Sequence, residues 1–128
     1  MSPALTTLAT HTYLNLETFK KDGTGVQTPV WFVIRDGAIY VFTDGSSFKV
    51  KRLRRNPKAR IAGCNASGKS ILTEWFDATG AILDAGPEED AAYEALNEKY
   101  GWQMKLLTVG ARISGSFKRR TMLKFQTA

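Results

Sequence analysis

The chain has 128 residues, of which 43% are hydrophobic and 23% are charged, and these proportions exclude a disordered or collagen-like chain. No apolar run approaches the roughly 20 residues that cross a bilayer, so we expect no membrane segment. The single cysteine, Cys64, cannot form an internal disulfide, which predicts a reducing, cytoplasmic location, and the net charge of +6 predicts an anionic partner.

Alternating and β-branched patterns predict three strands in the first third of the chain. Leu14 and Leu16 alternate with polar residues, which indicates a strand with one buried face. Asp-Gly pairs accept positive φ and therefore predict tight turns. In chain order, the predicted elements are a strand at 13–19, a turn at 21–23, a strand at 28–35, a hairpin turn at Asp36-Gly37 and a strand at 38–43.

The remainder of the chain predicts one basic helix, one amphipathic helix and five further strands. Pro87 stands at the first position of the amphipathic helix, acids fill its first turn, and its apolar face carries Ala92, Leu96 and Tyr100. Gly80 is expected in a turn between two strands. The predicted strands are 60–64, 71–76, 81–83, 106–113 and 121–125, and the basic helix ends before Pro57. This content predicts one domain over 1–128, mainly β with one or two short helices, folded as an antiparallel barrel.

The positive charge is concentrated in one segment. Seven of the 18 Lys and Arg residues lie between Lys49 and Arg60 with no acid among them, which leaves 11 cations against 12 acids elsewhere. Just before this segment a strand is expected to end, and the hydroxyls of Ser46 and Ser47 precede a helix start with Lys49 and Lys51. Hydroxyls, lysines and a helix N-terminus suit a phosphate group. The alternative is an exposed basic helix that Ser47 caps, and composition does not decide between the two.

Other site chemistries are poorly supplied. His11 is the only histidine, so neither a Ser-His-Asp triad nor a transition-metal site is expected, and we name no catalytic residue and no metal ligand. The segment 63–70 resembles a phosphate-binding loop, but its first glycine is one residue too close to Gly68, and we interpret it as a hairpin turn.

The order of motifs resembles that of the pyridoxamine 5′-phosphate oxidase family of split β-barrels, and within it the actinobacterial oxidoreductases that depend on the deazaflavin coenzyme F420. The resemblance covers roughly residues 13–105. The segments that carry it are YLNLETF at 13–19, TPVWFV at 28–33, Asp36-Gly37, Tyr40-Val41, KVKRLRRNP at 49–57 and KYGWQ at 99–103.

The resemblance implies a homodimer that binds its cofactor in a groove at the subunit interface. The ring of the cofactor is expected against Gln27, Thr28, Pro29 and Val30 and beside Phe42, Thr43 and Asp44, with its phosphate on Ser47, Lys49 and Lys51. Trp102 or the cluster Lys118-Arg119-Arg120 is expected to reach the site of a partner subunit. In the phosphate-oxidase branch an Arg-Lys pair follows the serine, whereas here Phe48 precedes Lys49, which weakens the expectation of FMN.

The implied activity is hydride transfer from reduced F420 to a small electrophilic molecule, such as an enone, a quinone or a tetrapyrrole. The long anionic side chain of F420 suits a single cationic segment on an otherwise near-neutral chain. The alternatives are an FMN-binding oxidase or reductase on the same barrel, a cofactor carrier without turnover, and a basic barrel that binds nucleic acid. Only Phe48 is interleaved with the cations, so we do not expect nucleic acid as the partner.

Overall fold

The computed structural model describes residues 2–106 and 120–127, and in these the chain forms seven antiparallel strands and four helices. The helices are α1 (Pro3–Leu8), α2 (Phe48–Arg55), α3 (Pro87–Tyr100) and α4 (102–106). The strands are β1 (Tyr13–Phe19), β2 (Gly25–Val30), β3 (Val33–Arg35), β4 (Ala38–Asp44), β5 (Lys58–Cys64), β6 (Phe76–Ile82) and β7 (Arg120–Thr127). The predicted mainly β, antiparallel fold is confirmed.

The seven strands form one curled sheet in the order β2-β1-β5-β6-β7-β4-β3. The two edge strands, β2 and β3, are consecutive in the chain, and only Trp31 and Phe32 separate them. This two-residue connection, which we call the crossover, brings the two edges of the sheet together without hydrogen bonds between them. The result is a barrel that is split along one side.

The prediction of a single strand over 28–35 is wrong, because the pairing partner changes within that segment. Val30 lies opposite Leu14 of β1, whereas Val33 lies opposite Tyr40 of β4. A β-branched and aromatic run predicts extended backbone, but it carries no information about which strand pairs with each half. The Asp36-Gly37 hairpin turn that follows is confirmed, with φ values of 50° and 76°.

The inside of the barrel is filled by an apolar cluster to which α1, α2 and every strand of the sheet contribute. We call it the barrel interior, and its fully buried members include Leu8, Leu14, Leu16, Phe32, Ile39, Val41, Val50, Ile61, Leu123 and Phe125. A Cβ at Gly80 would lie 2.8 Å from Phe125 Cε1 and 3.0 Å from Leu53 Cδ2. Gly80 therefore permits close packing inside β6, and the predicted turn there and the strand boundaries 71–76 and 81–83 are wrong.

Helix α3 covers the outer face of β3, β4 and β7 and forms a second apolar layer, which we call the α3 layer. The predicted apolar face is confirmed, because Ala92, Leu96 and Tyr100 are all buried there. Pro87 begins the helix, and Gly101 ends it with a φ of 58°.

Two helices are not predicted from the sequence. Helix α1 is capped by Ser2, whose Oγ accepts a hydrogen bond from Leu5 N at 3.3 Å, and it packs Leu5 and Leu8 into the barrel interior. Leu106 belongs to α4 rather than to the predicted strand 106–113, whose other residues lie outside the described ones. In the part of the chain that the structure describes, no helix is long and apolar enough to span a membrane.

Strand β1 has the predicted bounds but not the predicted single buried face. Asn15 and Glu17, on the face away from the interior, are only 1% and 7% exposed. Asn15 Nδ2 donates to the carbonyl of Gly68 at 3.0 Å, in the loop that covers this face. Glu17 accepts hydrogen bonds from Arg60 Nε at 2.6 Å and from Gln27 Nε2 at 3.1 Å. Burial raises the pKa of Glu17, but the bonds from Arg60 and Gln27 lower that pKa by more.

Candidate functional site

A groove of about 320 Å³ lies on the split side of the barrel, where the crossover leaves β2, where β4 ends and where α2 begins. We call it the split-side groove. Its lining consists mostly of aromatic and apolar side chains, with two hydroxyl groups, those of Tyr13 and Thr43, and one cation, Lys49. The lining residues are Tyr13, Pro29, Val30, Trp31, Phe42, Thr43, Lys49 and Ala66. An apolar groove with a few polar groups is typical of sites for small organic molecules and cofactors.

Three aromatic rings stabilise one wall of the split-side groove. The Trp31 ring lies parallel to the Tyr100 ring, with 4.3 Å between centroids and 5° between planes. The same Trp31 ring contacts Phe42 edge-on, at 6.4 Å and 64°. Trp31 and Phe42 line the groove, whereas Tyr100 supports Trp31 from the α3 layer. The position of the wall is therefore fixed by packing between aromatic rings as well as by the backbone of the crossover.

The polar end of the split-side groove lies at the start of α2. Thr43 Oγ1 donates to Ser47 Oγ at 3.4 Å, and Ser47 occupies the N-cap position of α2. Ser47 is thus the N-cap residue, as in the alternative interpretation of the sequence, but its side chain makes no hydrogen bond to the first turn of the helix. The backbone N–H groups of a helix start, together with two hydroxyls, favour an anion.

Lys49 is half-buried beside these hydroxyls. Burial lowers the pKa of its ammonium below the ordinary lysine value, and the neighbouring Arg52 lowers that pKa further. Within residues 2–106 and 120–127, Lys49 makes no hydrogen bond and no ion pair with an acid. A partly desolvated cation without a counter-charge is a site that an anionic group would stabilise.

Five of the ten predicted site residues line the split-side groove: Pro29, Val30, Phe42, Thr43 and Lys49. Ser47 contacts one of them, as described above. The other four have different surroundings. The Gln27 amide donates to Glu17, and Thr28 Oγ1 is buried with no hydrogen-bond partner among the described residues. Asp44 Oδ1 accepts from Ser46, and Lys51 Nζ lies 5.2 Å from the Phe48 ring centroid.

The cationic segment is not one uniform patch. Arg52 Nε donates to Thr18 Oγ1 at 2.6 Å, and Arg60 forms an ion pair with Glu17. Lys49 lines the groove, whereas Lys51 and Arg54 are exposed. Counting charges along the sequence therefore overstates the number of cations available to one ligand.

The turn after β5 forms part of the groove. Asn65 N donates to Ser70 O at 3.1 Å, and Gly68 N donates to Asn65 O at 3.0 Å, which confirms the hairpin interpretation of segment 63–70. Gly68 has a φ of 75° and packs against Pro29, and Ala66 reaches the groove lining. Among the described residues there is no group of three His, Cys, Asp or Glu side chains that could hold a metal ion.

The sequence predicts Tyr100 on the apolar face of the helix, but it assigns neither Lys99 nor Tyr100 a part in the site. In the structure both bind the crossover: Lys99 Nζ donates to Phe32 O at 3.0 Å, and the Tyr100 hydroxyl lies 3.0 Å from Phe32 N and 3.0 Å from Phe32 O. The sequence shows that a lysine and a tyrosine end an amphipathic helix. It does not show which residues they bind, because their partner atoms are 67 and 68 residues away in the chain.

One antiparallel sheet that is curled into a barrel and split along one side defines the class of split β-barrels. Within that class the chain belongs to the pyridoxamine 5′-phosphate oxidase family, whose model matches residues 3–128. No curated protein matches the chain.

Solved structures share the fold at low sequence identity. The heme storage protein HutZ from Vibrio cholerae is 16% identical with a TM-score of 0.69, over 93% of this chain and 83% of that one. A FAD-binding protein from Mesorhizobium loti is 15% identical with a TM-score of 0.67, over 100% and 91%. An F420 reductase is 14% identical with a TM-score of 0.59, over 100% and 95%. These neighbours show the fold, and they bind different ligands.

Proposed function

We propose that this chain is an F420-dependent oxidoreductase that transfers a hydride from the reduced deazaflavin to a small electrophilic molecule. The observation that carries the proposal is Lys49, a half-buried ammonium without an acidic partner in the described residues, at the polar end of an aromatic groove. A planar ring linked to an anionic side chain has the shape and charge that this groove would bind.

The groove residues fit such a cofactor in two parts. Pro29, Val30, Trp31 and Phe42 would bind the ring, because they form an apolar surface with aromatic faces. Thr43, Ser47 and Lys49 would bind the phosphate, because two hydroxyls and a cation meet at the start of α2. When bound, reduced F420 would supply the hydride.

The protein's own contribution would be position and exclusion of water. The aromatic wall would keep solvent from the reacting face, and a ligand held between this wall and Lys49 would have one orientation. Lys49 would hold the phosphate rather than take part in the transfer. We assign no catalytic side chain, in keeping with a reaction whose difficult step belongs to the cofactor.

FMN is the second candidate cofactor, because one structural neighbour is a FAD-binding protein and the same groove would accept a flavin ring. A single measurement distinguishes the two proposed cofactors. We expect equilibrium titration of the purified protein, followed by tryptophan fluorescence, to give tighter binding of F420 than of FMN. Tight binding of FMN with none of F420 would replace the first proposal with the second.

Turnover is tested separately from binding. Reduced F420 is mixed with the protein and with a panel of enones, quinones and tetrapyrroles, and its oxidation is followed by absorbance. We expect oxidation that depends on both protein and acceptor for at least one class. Tight F420 binding without oxidation across the panel would support a carrier without turnover instead.

We also propose that the chain forms a homodimer with the split-side groove at its interface. A second cleft, of about 610 Å³, lies over the outer face of β5 and β6 and is lined by residues that include Phe19, Lys58, Arg60 and Thr79. Ile71, Leu72, Trp102 and Leu106 are exposed apolar side chains that a partner would cover. Light scattering at several protein concentrations tests the homodimer, and a monomer at all of them would contradict it.

The cytoplasmic location stays a prediction.

A further inference from the structure

We propose that Tyr100 is a positioning residue for the split-side groove: its hydroxyl fixes the crossover, and the crossover sets the aromatic wall against which a planar ligand binds. This inference rests on the proposed function for the identity of the ligand. The positioning itself follows from contacts within the chain.

Tyr100 supplies a hydrogen-bond partner for a backbone group of the crossover that neither neighbouring strand pairs. Trp31 and Phe32 belong to neither β2 nor β3, so the strand ladders do not supply partners for their backbone. Phe32 is fully buried, and a buried N–H or carbonyl without a partner is costly. The Tyr100 oxygen accepts from Phe32 N at 3.0 Å, which satisfies the buried N–H.

The single proton of the Tyr100 hydroxyl has two acceptors within reach, Thr12 O at 2.8 Å and Phe32 O at 3.0 Å. Lys99 Nζ already donates to Phe32 O at 3.0 Å, so the phenol proton is best placed on Thr12 O. One hydroxyl then joins three segments of chain: the end of α3, the crossover, and the residue that precedes β1. Tyr13, the next residue, also lines the groove.

The Tyr100 ring acts on the same wall as its hydroxyl. The parallel stack at 4.3 Å places it behind Trp31, whose ring contacts Phe42 in turn. Movement of the crossover would therefore displace both Trp31 and the packing of Phe42. A ligand held between these rings and Lys49 would lose its alignment even if the barrel remained folded.

Helix α3 supplies a matched control in Tyr93. Tyr93 is also buried and packs on Phe42, at 6.3 Å between ring centroids, but its hydroxyl has no hydrogen-bond partner among the described residues. Tyr93→Phe and Tyr100→Phe each remove one buried phenolic oxygen from the same helix and keep the ring. Only the second change removes bonds to the crossover.

The experiment compares both variants in a Trp75→Phe, Trp102→Phe background, in which Trp31 is the sole tryptophan. F420 and FMN are titrated, and circular dichroism of the bound ring reports whether its orientation is fixed. Acrylamide quenching of Trp31 without ligand reports the crossover directly. We expect Tyr100→Phe to weaken binding about tenfold, to reduce the induced ellipticity and to increase quenching, whereas Tyr93→Phe matches the background.

Unchanged affinity, ellipticity and quenching in Tyr100→Phe would overturn the proposal, as would equal changes in Tyr93→Phe. If the background protein binds neither cofactor, the proposed function fails, and the quenching comparison alone then decides the positioning role. If Tyr100→Phe does not fold, Lys99→Met removes one donor to Phe32 O and keeps Tyr100. We expect at most a small increase in Trp31 quenching there, because the Tyr100 hydroxyl still bonds to Phe32 N and Thr12 O. A large increase would show that Lys99, and not Tyr100, fixes the crossover, and it would overturn the proposal.

Discussion

The barrel interior and the α3 layer are both apolar clusters on the same sheet, but they differ in what their side chains do besides fill space. The barrel interior is built of aliphatic and phenylalanine side chains and small alanines. The α3 layer includes three tyrosines, and one of them bonds to the crossover that lines the split-side groove. The interior thus accounts for the stability of the scaffold, whereas the α3 layer connects that scaffold to the site.

Strand β7 tests this comparison with the largest expected effect, because it faces both regions. Phe125 is fully buried in the barrel interior and Met122 is fully buried in the α3 layer. We expect Phe125→Ala to lower the free energy of unfolding by about 3–5 kcal/mol, because it removes a large side chain that packs against Gly80 and leaves a cavity. Urea denaturation followed by circular dichroism measures this.

Met122→Ala is the control on the same strand. A flexible methionine leaves a site that neighbours can partly fill, so we expect a loss toward the lower end of about 2–5 kcal/mol. A larger loss for Met122→Ala than for Phe125→Ala would contradict the assignment of scaffold stability to the interior.

Local pattern predicted the elements whose partners are close in sequence. The bounds of β1, the Asp36-Gly37 turn, the basic helix α2 and the start of α3 at Pro87 all follow from residues within one or two turns of each other. Each depends on backbone conformation and alternation, which a short window contains.

Elements that depend on distant contacts could not be predicted in this way. The split of 28–35 into two strands depends on partners in β1 and β4, and the role of Gly80 depends on Phe125, 45 residues away in the chain. The site shows the same limit. Lys49 was predicted as a phosphate ligand because hydroxyls and cations adjoin in sequence, and it does line the groove. The bond between Tyr100 and the crossover is a contact that only the fold creates.

Two lysines on α2 extend the comparison to the polar end of the split-side groove. The expected effect of replacing them, on the affinity for F420, is intermediate in size. Lys49 lines the groove, whereas Lys51, also predicted to bind the phosphate, is exposed and lies over Phe48. We expect Lys49→Ala to weaken F420 binding about tenfold, which is about 1.4 kcal/mol, because it removes the charge beside the anion. Fluorescence titration measures the affinity.

The free energy of unfolding should not fall in Lys49→Ala, because the change also removes repulsion between Lys49 and Arg52. We expect Lys51→Ala to change the F420 affinity less than threefold, roughly what an exposed charge contributes. Equal losses in the two variants would show that both lysines hold the phosphate. A loss confined to Lys51→Ala would place the anionic group outside the split-side groove.

The smallest expected effect concerns Lys99 at the end of α3. It is tested by the pH dependence of the free energy of unfolding. Lys99 as a whole residue is exposed, but its ammonium lies 3.5 Å from the centroid of the buried Phe32 ring. Burial of the ammonium lowers the pKa of Lys99 from 10.5 to about 8. The unfolded chain therefore binds more protons than the folded one between about pH 8 and 10.5. Stability must rise with pH through that window, and the protonation penalty is fully present below it.

We expect the free energy of unfolding of the natural chain, minus that of Lys99→Met, to be constant below about pH 8 and to increase toward pH 10.5. The increase should correspond to less than one proton, because solvent screens a partly exposed side chain. Lys105→Met, at an exposed position of α4, is the control for the removal of one lysine charge. A flat difference for Lys99→Met would mean that the ammonium is fully hydrated. The contact between α3 and the crossover would then depend on the Tyr100 hydroxyl alone, and Lys99→Met should leave Trp31 quenching unchanged.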